Sequence, residues 1–342
     1  MPPSRRNVLF GLMSLPAASL AGRRPLPGLT ATVYNGHELG AAFRAAGAGS
    51  VITLAPGDFG DVGPFALSAS EVSLRAQAPL RTALRSTLVV QGSSVDLDGL
   101  GFEDGLVLAG NGLSVANGRV RGRGVLVAGD GASLSNNQIS GDSGSFAISV
   151  GGSARGPRIT NNYIRNCRAA IGLGVSMATS NTRVGALVQG NRIEDCTGGS
   201  ETIMVKCSGN TITGNQLRDC NNVTNRHGEG NQYTNNTMER CLCIVVHDRN
   251  NRVVGNRAVS PKLARSFRVM GGNVTADSTN QGAHPQAVNT YLSGNSGGTL
   301  EIGAVFQGDN LPAVNTTVAS HGGGIRLLRQ VGTRLPGGGG AA

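Results

Sequence analysis

The 342-residue chain has no tryptophan, and aromatic residues make up only 4% of it. So few flat rings leave little surface for stacking bases, which argues against nucleic acid as a partner. Charge is sparse too, at 15%, and acids are the scarcer sign: 20 Asp and Glu against 30 Lys and Arg, a formal net charge of +10. Neither Cys-x-x-Cys pairs nor paired histidines occur, which disfavours a zinc site. Past residue 21 no apolar run approaches the roughly 18 residues of a membrane span, so none is expected.

Glycine, by contrast, is abundant, with 53 residues. Short apolar segments such as Leu88-Val-Val, Gly124-Val-Leu-Val-Ala, Ala186-Leu-Val and Ile244-Val-Val are broken by Gly and Asn. This pattern predicts strands joined by tight turns rather than helices. A local signature also recurs. Asn162-Tyr-Ile-Arg-Asn-Cys167 is followed by Asn191-Arg-Ile-Glu-Asp-Cys196, Asn215-Gln-Leu-Arg-Asp-Cys220 and Asn236-Thr-Met-Glu-Arg-Cys241, with weaker copies at Asn117, Asn137 and Asn256. Variable spacing around a fixed signature marks turns of one stacked unit with insertions between strands. Asparagine suits left-handed turns and can ladder from coil to coil. The expected fold is all-β, a right-handed parallel β-helix; the leucine spacing of leucine-rich repeats is absent.

The ends read differently. Ser4-Arg5-Arg6-Asn7-Val8-Leu9, an apolar run to Leu20 and small residues at Ser19-Leu20-Ala21 predict a twin-arginine signal peptide over 1–21, hence a periplasmic or secreted protein. That segment holds two arginines and no acid, so its removal takes the charge from +10 to +8. Such a charge on an exported solenoid favours an acidic polysaccharide as partner. Glu38 to Ala46 has helical spacing and predicts a short helix capping the N-terminal end of the solenoid, ahead of an opening strand and turn over Ser50–Phe59. The β-helix domain is expected over 22–334, as a monomer, with a disordered Gly-rich tail over 335–342.

Cys167, Cys196, Cys220 and Cys241 share one slot in successive coils and should stack inward. Neighbouring coils would bring them near disulfide distance in an oxidising compartment, while free cysteine also serves as a small buried hydrophobe.

One stretch carries chemistry. Glu201-Thr-Ile-Met-Val-Lys206 is followed twenty residues later by Arg226-His227-Gly228. If each repeat is one coil, Lys206 and Arg226 lie on adjacent turns, about 5 Å apart along the axis. His247, Asp248 and Arg249 fall one coil further on and could line the same groove, whereas His284 and His321 belong to no pattern.

The run from Asn191 to Asn210, with Arg226-His227-Gly228, resembles the core motif of the alginate lyase and chondroitinase B family of polysaccharide lyases. Ile171-Gly-Leu-Gly-Val-Ser176 and Asp98-Gly-Leu-Gly-Phe-Glu-Asp-Gly105 resemble it more loosely. The resemblance implies a parallel β-helix that cleaves a uronic-acid polymer, alginate or a dermatan or chondroitin type, by β-elimination. It implies Lys206 as base and Arg226 as acid or charge stabiliser. His227, His247 and Arg249 are expected substrate contacts. Glu201 matches one ligand of a calcium ion, and Asn166 is a candidate second ligand. The sequence departs from the family pattern twice. Gly199 stands where a further acidic ligand is expected, and Val245 where an arginine is expected. These departures leave room for two other readings: a non-catalytic glycan-binding or envelope β-helix, and a C5-epimerase.

Overall fold

The computed structural model describes residues 28–337, apart from 61, 176–181, 277, 281 and 307 and the side chains of 142–145. The expected signal peptide, Ser176 and the last five residues of the expected tail lie outside the described residues.

A typical coil contributes three short strands, as in Thr211–Thr213, Gln216–Arg218 and Asn222–His227. These pair in parallel with Gln232–Thr234, Thr237–Glu239 and Ile244–Val246 of the next coil. In Gln138–Gly151 and Tyr163–Val175 the second and third strands run together. The first position alone builds a 13-stranded parallel sheet. Parallel strands joined through the other two faces wind right-handed, as the intrinsic twist of L-chains requires. Alternation within each short strand turns Ile212, Leu217 and Val223 inward, and the core is a continuous column of such side chains. Each fully buried aliphatic contributes about 1.5–3 kcal/mol, so length alone makes the column stable.

The turns divide between two residues what the sequence suggested one asparagine would do. The laddering residues are Asn137, Asn162, Asn191, Asn215, Asn236, Asn256 and Asn295, whose side-chain amides bond to the next oxygen at 2.9–3.0 Å. The residue before each takes the left-handed conformation and is Asn or Gly: Asn136, Asn161, Gly190, Gly214, Asn235, Gly255 and Gly294. The copy at Asn117 therefore sits one place early. Asn117 is the left-handed residue, and Gly118 occupies the ladder slot, donating its N–H to Asn137 Oδ1 at 2.9 Å.

The cysteine slot follows a second left-handed position, held by Asn166, Asp195, Asp219 and Arg240. Each of the four thiols then donates to the carbonyl two residues back. All six cysteines are buried and none is in a disulfide. Cys207 is pushed up to about 12 by burial, which makes it unreactive as a nucleophile. Cys243 stands apart from the ladder, in a small outer cluster with Val245, Met270 and Ala304.

The capping helix spans Gly36–Ala45, two residues earlier at its start than the apolar spacing suggested. Asn35 sets the start: its Oδ1 accepts from Glu38 N at 2.9 Å, while Glu38 returns a bond to Tyr34 N at 2.8 Å. Leu39, Ala42 and Phe43 bury against the first coils, with Phe43 edge-on to Phe65 at 6.2 Å. The opening strand is two pieces, Val51–Leu54 and Gly57–Phe59. At the other end Leu335, assigned to the tail by composition, packs on the core. Among the described residues no helix is long and apolar enough to cross a membrane.

Candidate functional site

In the strand Glu201–Lys206, Ile203 and Val205 face the core, leaving Met204 and Lys206 outward. In Asn222–His227 of the next coil, Val223 and Asn225 face inward, Thr224 is also covered, and Arg226 is the partly exposed member. Val205 pairs with Asn225, but a register shift then sets Lys206 opposite His227. Arg226 is thus the extra residue of a β-bulge, a device that re-aims a side chain. It is aimed to the same outer surface as Lys206, one coil away, as the spacing predicted.

The third member joins them. Arg226 Nη1 lies 3.7 Å from Glu201 Oε1, with both side chains largely covered. Burial, then the Arg226 charge, holds the Lys206 amine below the ordinary lysine range, and Glu201 opposes the shift. A half-buried lysine beside a fixed cation is the arrangement that eases loss of the ammonium proton. Gly228, which closes the Arg-His-Gly motif, has a structural cause. Its φ is +104°, and a Cβ there would fall 2.0 Å from the Cys207 carbonyl.

The other expected contacts are placed differently. His227 continues the strand alternation and is fully buried, as wall rather than surface. His247 follows Val246 on the next coil but is covered: its Nδ1–H donates to the Pro285 carbonyl at 3.1 Å. Burial holds it neutral, down at about 3. Arg249 lies past the strand end, where its Nε bonds Glu229 Oε2 at 2.8 Å across the corner. These three do not present free groups to the Lys206 surface, because inward alternation, an overlying loop and an ion pair respectively engage them.

The expected calcium set does not assemble. Calcium takes about six to eight oxygen ligands, and here Glu201 offers one carboxylate, already engaged by Arg226 and the Ser200 hydroxyl. Asn166 occupies the left-handed slot before Cys167, in the column of Asp195 and Asp219 rather than beside Glu201. Among the described residues no group of three or more His, Cys, Asp or Glu is arranged to hold a metal. Space is not the reason. A Cβ at Gly199 would meet no atom closer than 3.6 Å, so a side chain there is sterically allowed. At the second departure, Val245 pairs directly with Arg268 of the following coil, and that arginine is bonded to Glu301 at 3.2 Å.

Sequence reasoning missed what overlies His247. The step from Asn256 to Asn295 is 39 residues, nearly twice a coil, and the excess forms an insertion that brings Pro285 and His284 over His247. A second insertion after Ala304 brings Phe306 and Asp309 to the same place. The long step was the available signal, but insertions carry no repeat pattern that would say where they fold.

Comparison with known proteins agrees with the architecture. A family model described as a right-handed beta helix region matches residues 104–262. No curated protein matches the chain. Among solved structures, a PL6 alginate lyase in complex with trisaccharide superposes with a TM-score of 0.75 at 17% identity, over 90% of this chain and 84% of that one. A mannuronic acid specific polysaccharide family 6 lyase from human gut microbiota gives 0.71 at 14%, over 88% and 83%. The catalytic unit of a GH87 alpha-1,3-glucanase from Streptomyces thermodiastaticus gives 0.57 at 15%, over 95% and 70%. At these identities the likeness establishes the fold, one that carries both lyases and a glycosidase.

Proposed function

We propose that this chain is an exported polysaccharide lyase that cleaves a uronic-acid polymer by β-elimination, with alginate the first candidate and dermatan or chondroitin type polymers the second. The observation that carries the proposal is the outward pair Lys206 and Arg226, joined across a bulge, with the lysine's proton affinity lowered by burial and by its neighbour.

The reaction calls for this pairing. The C5 proton of a uronate is hard to remove because the adjacent carboxylate is already negative. Neutral Lys206 takes that proton, and the C5 electron pair forms the C4–C5 double bond. The C4–O glycosidic bond then breaks, and its oxygen takes a proton from water. The intermediate charge gathers on the carboxyl oxygens, where a fixed cation acts most strongly. Arg226 stays charged at any working pH and fills that role. Calcium, whose donor set is incomplete here, is given no part.

The test is incubation of the mature chain with alginate, polymannuronate, polyguluronate and dermatan sulfate. One or more should yield the ultraviolet absorbance of an unsaturated uronate. Absence of that signal on every polymer, with glycan binding retained, would favour the non-catalytic reading that Gly199 and Val245 support.

A pH prediction follows from the sign of the Lys206 shift. Only the neutral amine is a base, so kcat/KM should rise with pH through the Lys206 ionisation. Glu201 raises that ionisation, so Glu201→Gln should move the rising limb to lower pH. A limb that stays in place or moves up would remove Lys206 as the titrating base.

A further inference from the structure

Of the twelve Phe and Tyr residues, only Tyr34 and Phe306 stand well exposed among the described residues, and Tyr34 lies at the far N-terminal end. Phe306 is 40% exposed although its ring sits on two partners. Its ring stacks on His247 at 5.8 Å and 15°, and lies 4.7 Å from the His284 ring. His247 directly follows Val246, which pairs with Asn225 of the preceding coil, so this aromatic surface adjoins Arg226 on its C-terminal side.

The surface is rigidly built. Asp309, whose side chain is 2% exposed, holds His284 Nδ1 at 3.2 Å. Its other oxygen accepts from Phe306 N at 3.2 Å, and its own N–H bonds the Phe306 carbonyl at 3.1 Å. The backbone N–H of His284 is held by Asn273 Oδ1 at 2.9 Å. With Nδ1–H given to Asp309, the neutral ring keeps Nε2 as an acceptor for a ligand hydroxyl. One buried carboxylate therefore fixes both an exposed ring face and an oriented imidazole.

We propose that Phe306 and His284 form a sugar subsite taking the hexuronate ring next to the cleaved bond, on the C-terminal side of Lys206 and Arg226. The proposal rests on the uronate-lyase reading above. A pyranose offers a face of polarised C–H groups that suits the negative face of an aromatic ring, and its hydroxyl groups suit an imidazole acceptor beside that ring. Exposing a phenylalanine costs hydrophobic stabilisation that a structural role would recover by burial; a stacking role requires the exposure.

The test uses the full chain carrying Lys206→Ala, so that ligand survives, titrated with alginate disaccharide and hexasaccharide by calorimetry. Adding Phe306→Ala or Phe306→Leu should weaken hexasaccharide binding by roughly three- to tenfold, the scale of one aromatic contact, while Phe306→Tyr retains it. His284→Ala should also weaken the hexasaccharide. Equal affinity in the alanine variant would overturn the subsite while leaving the lyase reading standing. Full affinity in the leucine variant alone would reduce Phe306 to packing and also overturn it. Failure of the Lys206→Ala parent to bind either oligosaccharide would overturn the uronate reading together with the subsite.

Discussion

Lys206→Ala should lower turnover of the uronate substrate by about 10²- to 10⁴-fold, the contribution expected of a general base, with substrate affinity little changed. The fold should survive, because the strand is anchored by Ile203 and Val205 while Lys206 points outward. The decisive companion is Lys206→Arg. It keeps positive charge and length, so a lysine that merely attracts an acidic polymer would tolerate it. A guanidinium stays protonated at any working pH and cannot accept the C5 proton. Both variants should therefore be comparably inactive in the ultraviolet assay, with their circular dichroism and melting temperature near those of the parent. Substantial activity in Lys206→Arg would remove the lysine from the base role.

The largest effect on stability should come from the asparagine ladder. Asn215 is fully buried and makes four bonds. Its amide donates to the Val188 carbonyl at 3.0 Å and to Asn236 Oδ1 at 2.9 Å, and its Oδ1 accepts from the backbone and side-chain nitrogens of Asn191 at 2.9 and 3.0 Å. Asn215→Ala strands buried partners on both neighbouring coils. At about 1–3 kcal/mol for each group left unsatisfied, the total loss should reach roughly 3–5 kcal/mol. Asn215→Asp should fare no better, since it keeps the acceptor but loses both donors and faces the Asn236 oxygen with charge. Asn117, exposed and outside the ladder, provides the contrast: Asn117→Gly should stay within about 0.5 kcal/mol, as a surface substitution at a left-handed position. Denaturant unfolding midpoints of the three variants measure this, and equal midpoints would mean that the ladder is decorative.

Much of this was open to reading along the chain. The stacked-coil architecture follows from the repeated asparagine and cysteine signatures, because a stacked unit must repeat what it stacks. The pairing of Lys206 with Arg226 was legible for the same reason: in a solenoid, sequence distance modulo one coil becomes spatial distance. The reading was weakest wherever regularity breaks. Asn117 misled by one residue because Asn serves equally as left-handed turn and as ladder rung, and only register separates the roles. His227, His247 and Arg249 share the right coils, yet which way each side chain faces depends on a bulge, an overlying loop and a cross-coil ion pair.

By itself, then, the amino-acid sequence determined the parallel solenoid, its inward ladders, its capping helix and the adjacency of Lys206 to Arg226, all consequences of local periodicity. Only the tertiary structure decided what surrounds that pair. Glu201 turns to Arg226 instead of completing a cation shell, and two insertions fold back so that Phe306 and His284 cover His247 on the next coil. Periodicity carries information about what repeats, and these residues repeat nothing; their positions follow from packing between segments far apart in the chain.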